Sequence, residues 1–238
     1  SQISVTNGSL TVSLAGGATI SAGANSSGSM TLSGTETQIN AALATISYQG
    51  DLNFNGADTF TILSTDNAGV PLSDTDTVAI TVSPVNDAPV NTVPGAQTVN
   101  EDTALNITGV SVTDVDGNLA TSQITVINGT LTVSLAGGAT ISSGSNSSGS
   151  LTLSGTEAQI NAALATISYQ GTSNFNGADT FSILSLDSAG SPLSDYDTVS
   201  ITVDPVNDAP VNTVPGAQTV NEDTALNITG VSVTDVDG

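Results

Sequence analysis

Along most of this chain, apolar side chains recur at every second position. In QITVINGTLTVSL, Ile124 and Val126 alternate with polar residues, and Leu131, Val133 and Leu135 then do the same. Such alternation turns one face of a strand towards a core and the other towards solvent. Between the two runs stand Asn128 and Gly129, which tolerate positive φ, so the pair predicts a hairpin closed by a type I′ turn. DTFSILS places Phe181 and Ile183 on one face, and DTVSITV does so with Val199, Ile201 and Val203. Shorter strands are expected at 104–107, 110–112, 139–142 and 150–154. Seven or eight short strands in roughly 120 residues read as a β-sandwich.

One segment changes period. In TEAQINAALATI, Ile160, Ala163, Leu164 and Ile167 recur at helical spacing, and Thr156 with Gln159 forms the T-x-x-Q of a capping box. This predicts a short helix at about 157–166, with a twin at 36–45, crossing an open end of the sandwich.

The twin exists because the chain repeats. A shift of 121 positions aligns residues 1–117 with 122–238 without a gap, and most pairs are identical; exceptions such as Met30/Leu151, Thr37/Ala158 and Ala79/Ser200 are mild. NEDTALNITGVSVTDVDG occurs at 100–117 and again at 221–238. The Pro-bearing PVNDAPV (84–90 and 205–211) marks the boundary between units. On that phase, 1–85 is a repeat without its N-terminal portion, 86–206 is a complete repeat, and 207–238 opens a third. The chain then reads as two periods of a longer array. Alternatively, 207–238 supplies what 1–85 lacks, and the tail of one chain completes the head of the next by strand donation. The sequence fits either.

Composition narrows the chemistry. The chain has 22 Asp and Glu, no Lys, Arg or His, and a formal charge of −22. Nucleic-acid binding needs cationic side chains, so no nucleic-acid partner is expected. Attraction to anionic membrane surfaces fails for the same reason, and no apolar run is long enough to insert in a bilayer. Absence of Cys removes disulfides and thiolate sites, and absence of His removes imidazole catalysis. At 37% hydrophobic residues in regular alternation, the chain reads as folded despite its charge. The N-x-S/T sequons reflect a composition rich in Asn, Ser and Thr, and SGSNSSGS (143–150) reads as a polar loop.

The acidic residues come in groups: Glu101 and Asp102, Asp114 and Asp116, Asp179, Asp187, Asp195 and Asp197, and Asp204 with Asn207 and Asp208. Calcium takes six to eight oxygen ligands, and D-x-D in a loop can aim two carboxylates at one ion. None of the groups is an EF-hand loop, so a site has to be assembled from several of them. Each alone reads equally well as turn chemistry. Together, in a chain without a basic residue, they favour calcium.

PVNDAPV, NEDTALNI, TDVDGN, NFNGADTF and DTVSITVDPVNDAP, in that arrangement, resemble the tandem cadherin-like repeats of giant bacterial RTX-type surface adhesins. The resemblance spans the whole period. It implies tandem cadherin/Ig-like Greek-key sandwiches with calcium at the junctions between them. By that resemblance one junction uses Asn86, Asp87, Asp114, Asp116 and Asp187. The next uses Glu101, Asp204, Asn207, Asp208, Asp235 and Asp237, with Asp102 beside Glu101 and the later copies Glu222 and Asp223. Departures are visible. Pro84 and Pro205 stand where cadherins carry the first linker Asp, Asp204 has Ser83 as its twin, and there is no D-R-E motif, Asp179 being the nearest substitute.

These readings converge on a secreted, non-enzymatic repeat of an extracellular stalk or filament at the cell surface, in adhesion or a biofilm matrix. Neighbouring repeats or subunits would join head-to-tail. The alternative is a multivalent module for a glycan or receptor, hinted at by Tyr196 where the other copy has Thr75. With no residue to activate a nucleophile, only paired carboxylates could act as in glycosidases, and their repetition in turns argues against an active site.

Overall fold

A computed structural model describes residues 1–237. The protein is all β with two short helices, and it divides into two units, Ser1–Asn86 and Asp87–Gly238.

In the second unit the large sheet has six strands in the order Thr140–Gly144, Ser150–Ser154, Leu119–Thr125, Gly177–Asp187, Ser194–Asp204 and Gln97–Asn100. Its last pairing is parallel, Ile201–Asp204 against Gln97–Asn100; the others are antiparallel. A second sheet joins Ala104–Asn106, Ser168–Gly171 and Gly129–Thr132. Val90–Thr92 pairs with Ser111–Thr113 beside them. The core lies between the layers. Ile124, Leu151, Leu153, Phe181, Ile183, Val199, Ile201 and Val203 face Leu131 and Tyr169 across it, all buried as the alternation requires.

The first unit repeats part of this plan. Its large sheet runs Thr19–Gly23, Ser29–Ser33, Gln2–Ser4, Gly56–Thr65, Ser73–Val82, and Gly8–Thr11 pairs with Ser47–Gly50. In the tail, Val211–Thr213 pairs with Ser232–Thr234.

Both helices form where the period changes, Glu36–Leu43 and Glu157–Leu164. Each opens with a complete capping box, Thr35 with Gln38 and Thr156 with Gln159. Each is shorter than the spacing predicts, because the chain turns as the Thr166 hydroxyl donates back to Ala163 O at 2.7 Å, and Thr45 to Ala42 O likewise. Ile160, Ala163 and Leu164 are buried, and Ile167 packs just beyond the helix end.

The hairpin expected at Asn128-Gly129 does not form. Leu119–Thr125 pairs with Ser150–Ser154 and Gly177–Asp187, whereas Gly129–Thr132 pairs with Ser168–Gly171 in the other layer. The chain crosses between sheets at this point. A buried carboxylate holds the crossing: Asp179 accepts the amides of Ile127 (3.1 Å), Asn128 (3.0 Å) and Thr180 (2.7 Å) and the Tyr169 hydroxyl (2.9 Å). Gly129 is required for closeness. A Cβ there would lie 2.5 Å from Gln170 O and 2.6 Å from the Tyr169 ring. We expect Gly129→Ala to cost about 1–3 kcal/mol in chemical denaturation, as overpacking does.

Candidate metal centre

The acidic groups that the sequence scatters are gathered by the fold into two places within the second unit. The first surrounds Asp208. The parallel pairing of Gln97–Asn100 with Ile201–Asp204 carries Glu101 to the strand end, where its N–H donates to Asp204 O at 2.9 Å. The Glu101 side chain, 3% exposed, accepts the Val206 amide at 2.6 Å and the Asn176 side-chain amide at 3.5 Å. Asp102, in the left-handed region at φ 57°, accepts the Asn174 amide at 3.1 Å. From the tail, Asp237 accepts the Asp208 amide through a short hydrogen bond, and Asp235 accepts the Asp237 amide at 3.1 Å. Asn207 donates from its side chain to Asp208 O at 3.0 Å.

Asp208 is the odd member. Its Oδ2 is buried and has no hydrogen-bond partner. Burial, followed by the negative charges of Asp237, Asp102, Glu101 and Asp235, pushes its carboxyl above the ordinary carboxylate value. A cleft of about 290 Å³ beside it is lined by Asn174, Asp208, Ala209, Val211, Thr234 and Asp235. An anionic atom that is desolvated, unpaired and ringed by like charge fits a hard cation. Among the described residues no three acidic side chains stand close enough to form a coordination shell.

The second place repeats the motif. The Asp87 amide donates to Asp116 Oδ2 at 2.7 Å, and the Asp116 amide to Asp114 Oδ1 at 3.0 Å. These are the same bonds that Asp208, Asp237 and Asp235 make one period later. Asp114 is buried, and its own amide donates to Glu157 at 3.0 Å. Asp187, 2% exposed, stands opposite Leu119 in the sheet, and its Oδ1 accepts the amides of Ala189 and Leu193, each at 3.1 Å. Ser188 donates to Asn118 O, tying that strand end to the TDVDGN turn.

A family model described as the Protein GAMETE EXPRESSED 2 domain matches residues 3–75 and 94–195, well over half of the chain. The chain belongs to that domain family. Solved structures similar to this GAMETE EXPRESSED 2 domain chain include cadherin-repeat ectodomains. Protocadherin gammaB7 EC3-6 is 20% identical over 98% of this chain and 51% of its own, at a TM-score of 0.39. Human CDH23 EC21-23 is 12% identical over 98% and 68%, at 0.35, and Drosophila N-cadherin EC1-4 is 14% identical over 99% and 50%, at 0.34. The chain thus spans about half the length of the protocadherin it matches. No curated protein sequence matches it.

Of the candidate ligands in this GAMETE EXPRESSED 2 domain chain, Asp208 and Asp235 line one cleft, the charges of Glu101, Asp102, Asp235 and Asp237 act on Asp208, and Asp87, Asp114 and Asp116 form one hydrogen-bonded chain. Asp204 reaches the first group through its carbonyl and is itself exposed. Glu222 and Asp223 lie exposed in the tail, Asp223 in the left-handed conformation that Asp102 also adopts. Asn86 closes the first unit. Asp179 is no substitute for a D-R-E ligand, because four donors already occupy its carboxylate. Residue types alone did not single out Glu157, Asn118, Asn174 or Asn176. The signal for three of them was their place in NFNGAD and TDVDGN. No helix among the described residues is long and apolar enough to cross a membrane.

Proposed function

We propose that the chain is a non-enzymatic structural repeat of a secreted extracellular stalk or filament, in which calcium at the Asp208 and Asp116 clusters locks each repeat to its neighbour. Glu101, Asp102, Asp208, Asp235 and Asp237 would hold the ion at one end; Asp87, Asp114, Asp116 and Asp187, with Asn86, would hold it at the other. Asp204, Asn207, Glu222 and Asp223 belong to the same acidic motifs. The bound ion would supply the positive charge that no side chain can. Stiff repeats in line suit cell-surface adhesion or a matrix, as the likeness of the motifs to bacterial RTX-type adhesins implies. The buried, partnerless Asp208 Oδ2 carries this reading. The runner-up, a multivalent glycan or receptor module, draws support from Tyr196, an aromatic side chain 61% exposed on the sheet.

Thermal melting in calcium and in EGTA tests the proposal. At calcium about 100 times its Kd, each site adds about 2.7 kcal/mol, so the midpoint should rise by several degrees. Identical midpoints, with no heat of binding on titration with calcium chloride, would discard it.

A further inference from the structure

The large sheet of the second unit has another face, turned away from the core. Successive residues of a strand point to opposite faces, so the neighbours of buried Phe181, Ile183, Ile124 and Leu153 look outward. Register sets Thr152, Gln123, Leu184 and Tyr196 in one row across four adjacent strands of that outer face. At about 4.8 Å between strands, the row is about 14 Å long. Leu186 lies in the next row, diagonal to Tyr196 and within reach of an aromatic side chain. Tyr196 is 61% exposed, and Leu184 and Leu186 are half-buried. Around this island the outward positions carry hydroxyls and an amide. Gln123 Nε2 reaches its nearest hydroxyl, Ser150 Oγ, only at 3.3 Å, so its donor is weakly engaged.

The other copy shows what the island adds. Thr152, Gln123 and Leu184 have identical twins in Thr31, Gln2 and Leu63, whereas Leu186 and Tyr196 stand where the first unit has Thr65 and Thr75. The strands compared are present in both units and pair in the same register, Leu63 opposite Thr75 as Leu184 is opposite Tyr196. Both exchanges replace a hydroxyl by a large apolar side chain, and both fall on neighbouring positions of one face. Neither adds to the core, which lies on the opposite face. Thr75, Thr77 and Thr81 are exposed as Thr198 and Thr202 are, so this face is open in both copies.

We propose that Tyr196, with Leu184 and Leu186, binds a neutral polysaccharide, one sugar ring stacking on the island and the next hydrogen-bonding to Gln123 and Thr152. A sugar ring has an apolar C–H face and a rim of hydroxyls. An aromatic side chain set among hydroxyls and an amide complements both. A protein partner fits less well. A stable protein contact covers about 800 Å² on each side around a desolvated apolar centre, and three side chains do not make one. An anionic glycan fits worse still, because a chain of charge −22 without Lys, Arg or His has nothing to pair with its carboxylates or sulfates. This names the ligand class for the second reading above and rests on that reading. It does not depend on calcium.

The test is affinity electrophoresis of the 238-residue chain through native gels cast with β-glucan, mannan or dextran, with polygalacturonate, or with chitosan. The expected result is retardation by at least one of the three neutral polymers and none by polygalacturonate. Tyr196→Ala changes an exposed side chain, so melting should be unaltered while the polymer concentration giving half-retardation rises at least about tenfold, as loss of an aromatic anchor does. Thr65→Leu together with Thr75→Tyr should build the same site on the first unit and strengthen retardation, since two sites on one chain act together. Retardation that survives Tyr196→Ala at full strength would overturn the proposal and leave a glycan module with its site elsewhere. No retardation by any polymer would overturn both. Retardation by polygalacturonate would show that the ligand is not restricted to neutral chains and overturn the proposal. Retardation by chitosan alone, abolished by salt, would report bulk charge and overturn it too. The melting shift with calcium is a separate measurement, and none of these outcomes alters it.

Discussion

Asp179→Ala is expected to lower the stability of the second unit by about 3–5 kcal/mol, read as a fall in denaturant midpoint at unchanged slope. The carboxylate is buried in a chain with no cationic side chain to pair with it, so its charge is offset entirely by donors. Removing it orphans three amides and leaves the Tyr169 hydroxyl only its longer bond to Asn128 O, 3.4 Å, at the point where the chain crosses between sheets. Asp179→Asn should cost less, since the amide keeps one accepting oxygen. In the first unit the same hub is Asp58, which accepts Thr6, Asn7 and Thr59 amides and the Tyr48 hydroxyl.

Asp58 in the first unit and Tyr169 in the second also make stability depend on pH. Burial pushes the Asp58 carboxyl up, but the Thr59, Asn7 and Thr6 amides and the Tyr48 hydroxyl outweigh it and hold it below its ordinary value of 3.8. A depressed folded value stabilises the protein above 3.8 and loses that contribution as pH falls through the folded value. Tyr169 shifts the other way, raised above its ordinary 10.0 first by burial, then by its bond to Asp179 and that group's charge. Its contribution is complete below 10.0 and drains away as pH climbs towards the folded value. Melting followed across both limits should therefore show a plateau bounded by an acid edge and an alkaline edge. An alkaline edge unmoved by Tyr169→Phe would contradict the assignment.

Much of this was legible in the residue pattern, and the part that was not has a common cause. Period-2 runs located the strands because alternation is a local signal, and the capping box located the helices for the same reason. Asn128-Gly129 misled. Its local chemistry is that of a turn, but its environment is set by Asp179 and Tyr169, some forty to fifty residues away, and Gly129 is there to admit a ring. The acidic groups were visible as composition. Nothing local could reveal that Asp208 meets Glu101, over a hundred residues earlier, because a parallel strand pairing brings them together. The difference in burial between the two copies was invisible for a further reason: near-identical sequences fold alike, and only the strands Gln97–Asn100, Ala104–Asn106 and Ser111–Thr113 packed on the second copy distinguish a buried Ile160 from a half-buried Ile39.

Asp208→Asn should change sign with the solvent, and that reversal separates a metal centre from an acidic turn. In EGTA the wild-type carboxylate is desolvated, lacks a partner on Oδ2 and faces Asp237, Asp102, Glu101 and Asp235. Its raised value means that the folded state is favoured when the group is protonated and disfavoured as pH rises through that value. An amide removes the charge and offers an N–H to the surrounding carboxylates, so the variant should melt higher than wild type without calcium. In saturating calcium the order inverts. The variant lacks one anionic oxygen for the ion, its calcium affinity should fall at least about tenfold, and wild type should melt higher. A turn residue with no metal role predicts the same ranking in both buffers. Asp195→Asn, at a carboxylate that accepts the Asn91 amide at 2.7 Å, serves as the comparison and should show no inversion. Crossing of the Asp208→Asn and wild-type curves on adding calcium is therefore the observation on which the metal assignment stands or falls.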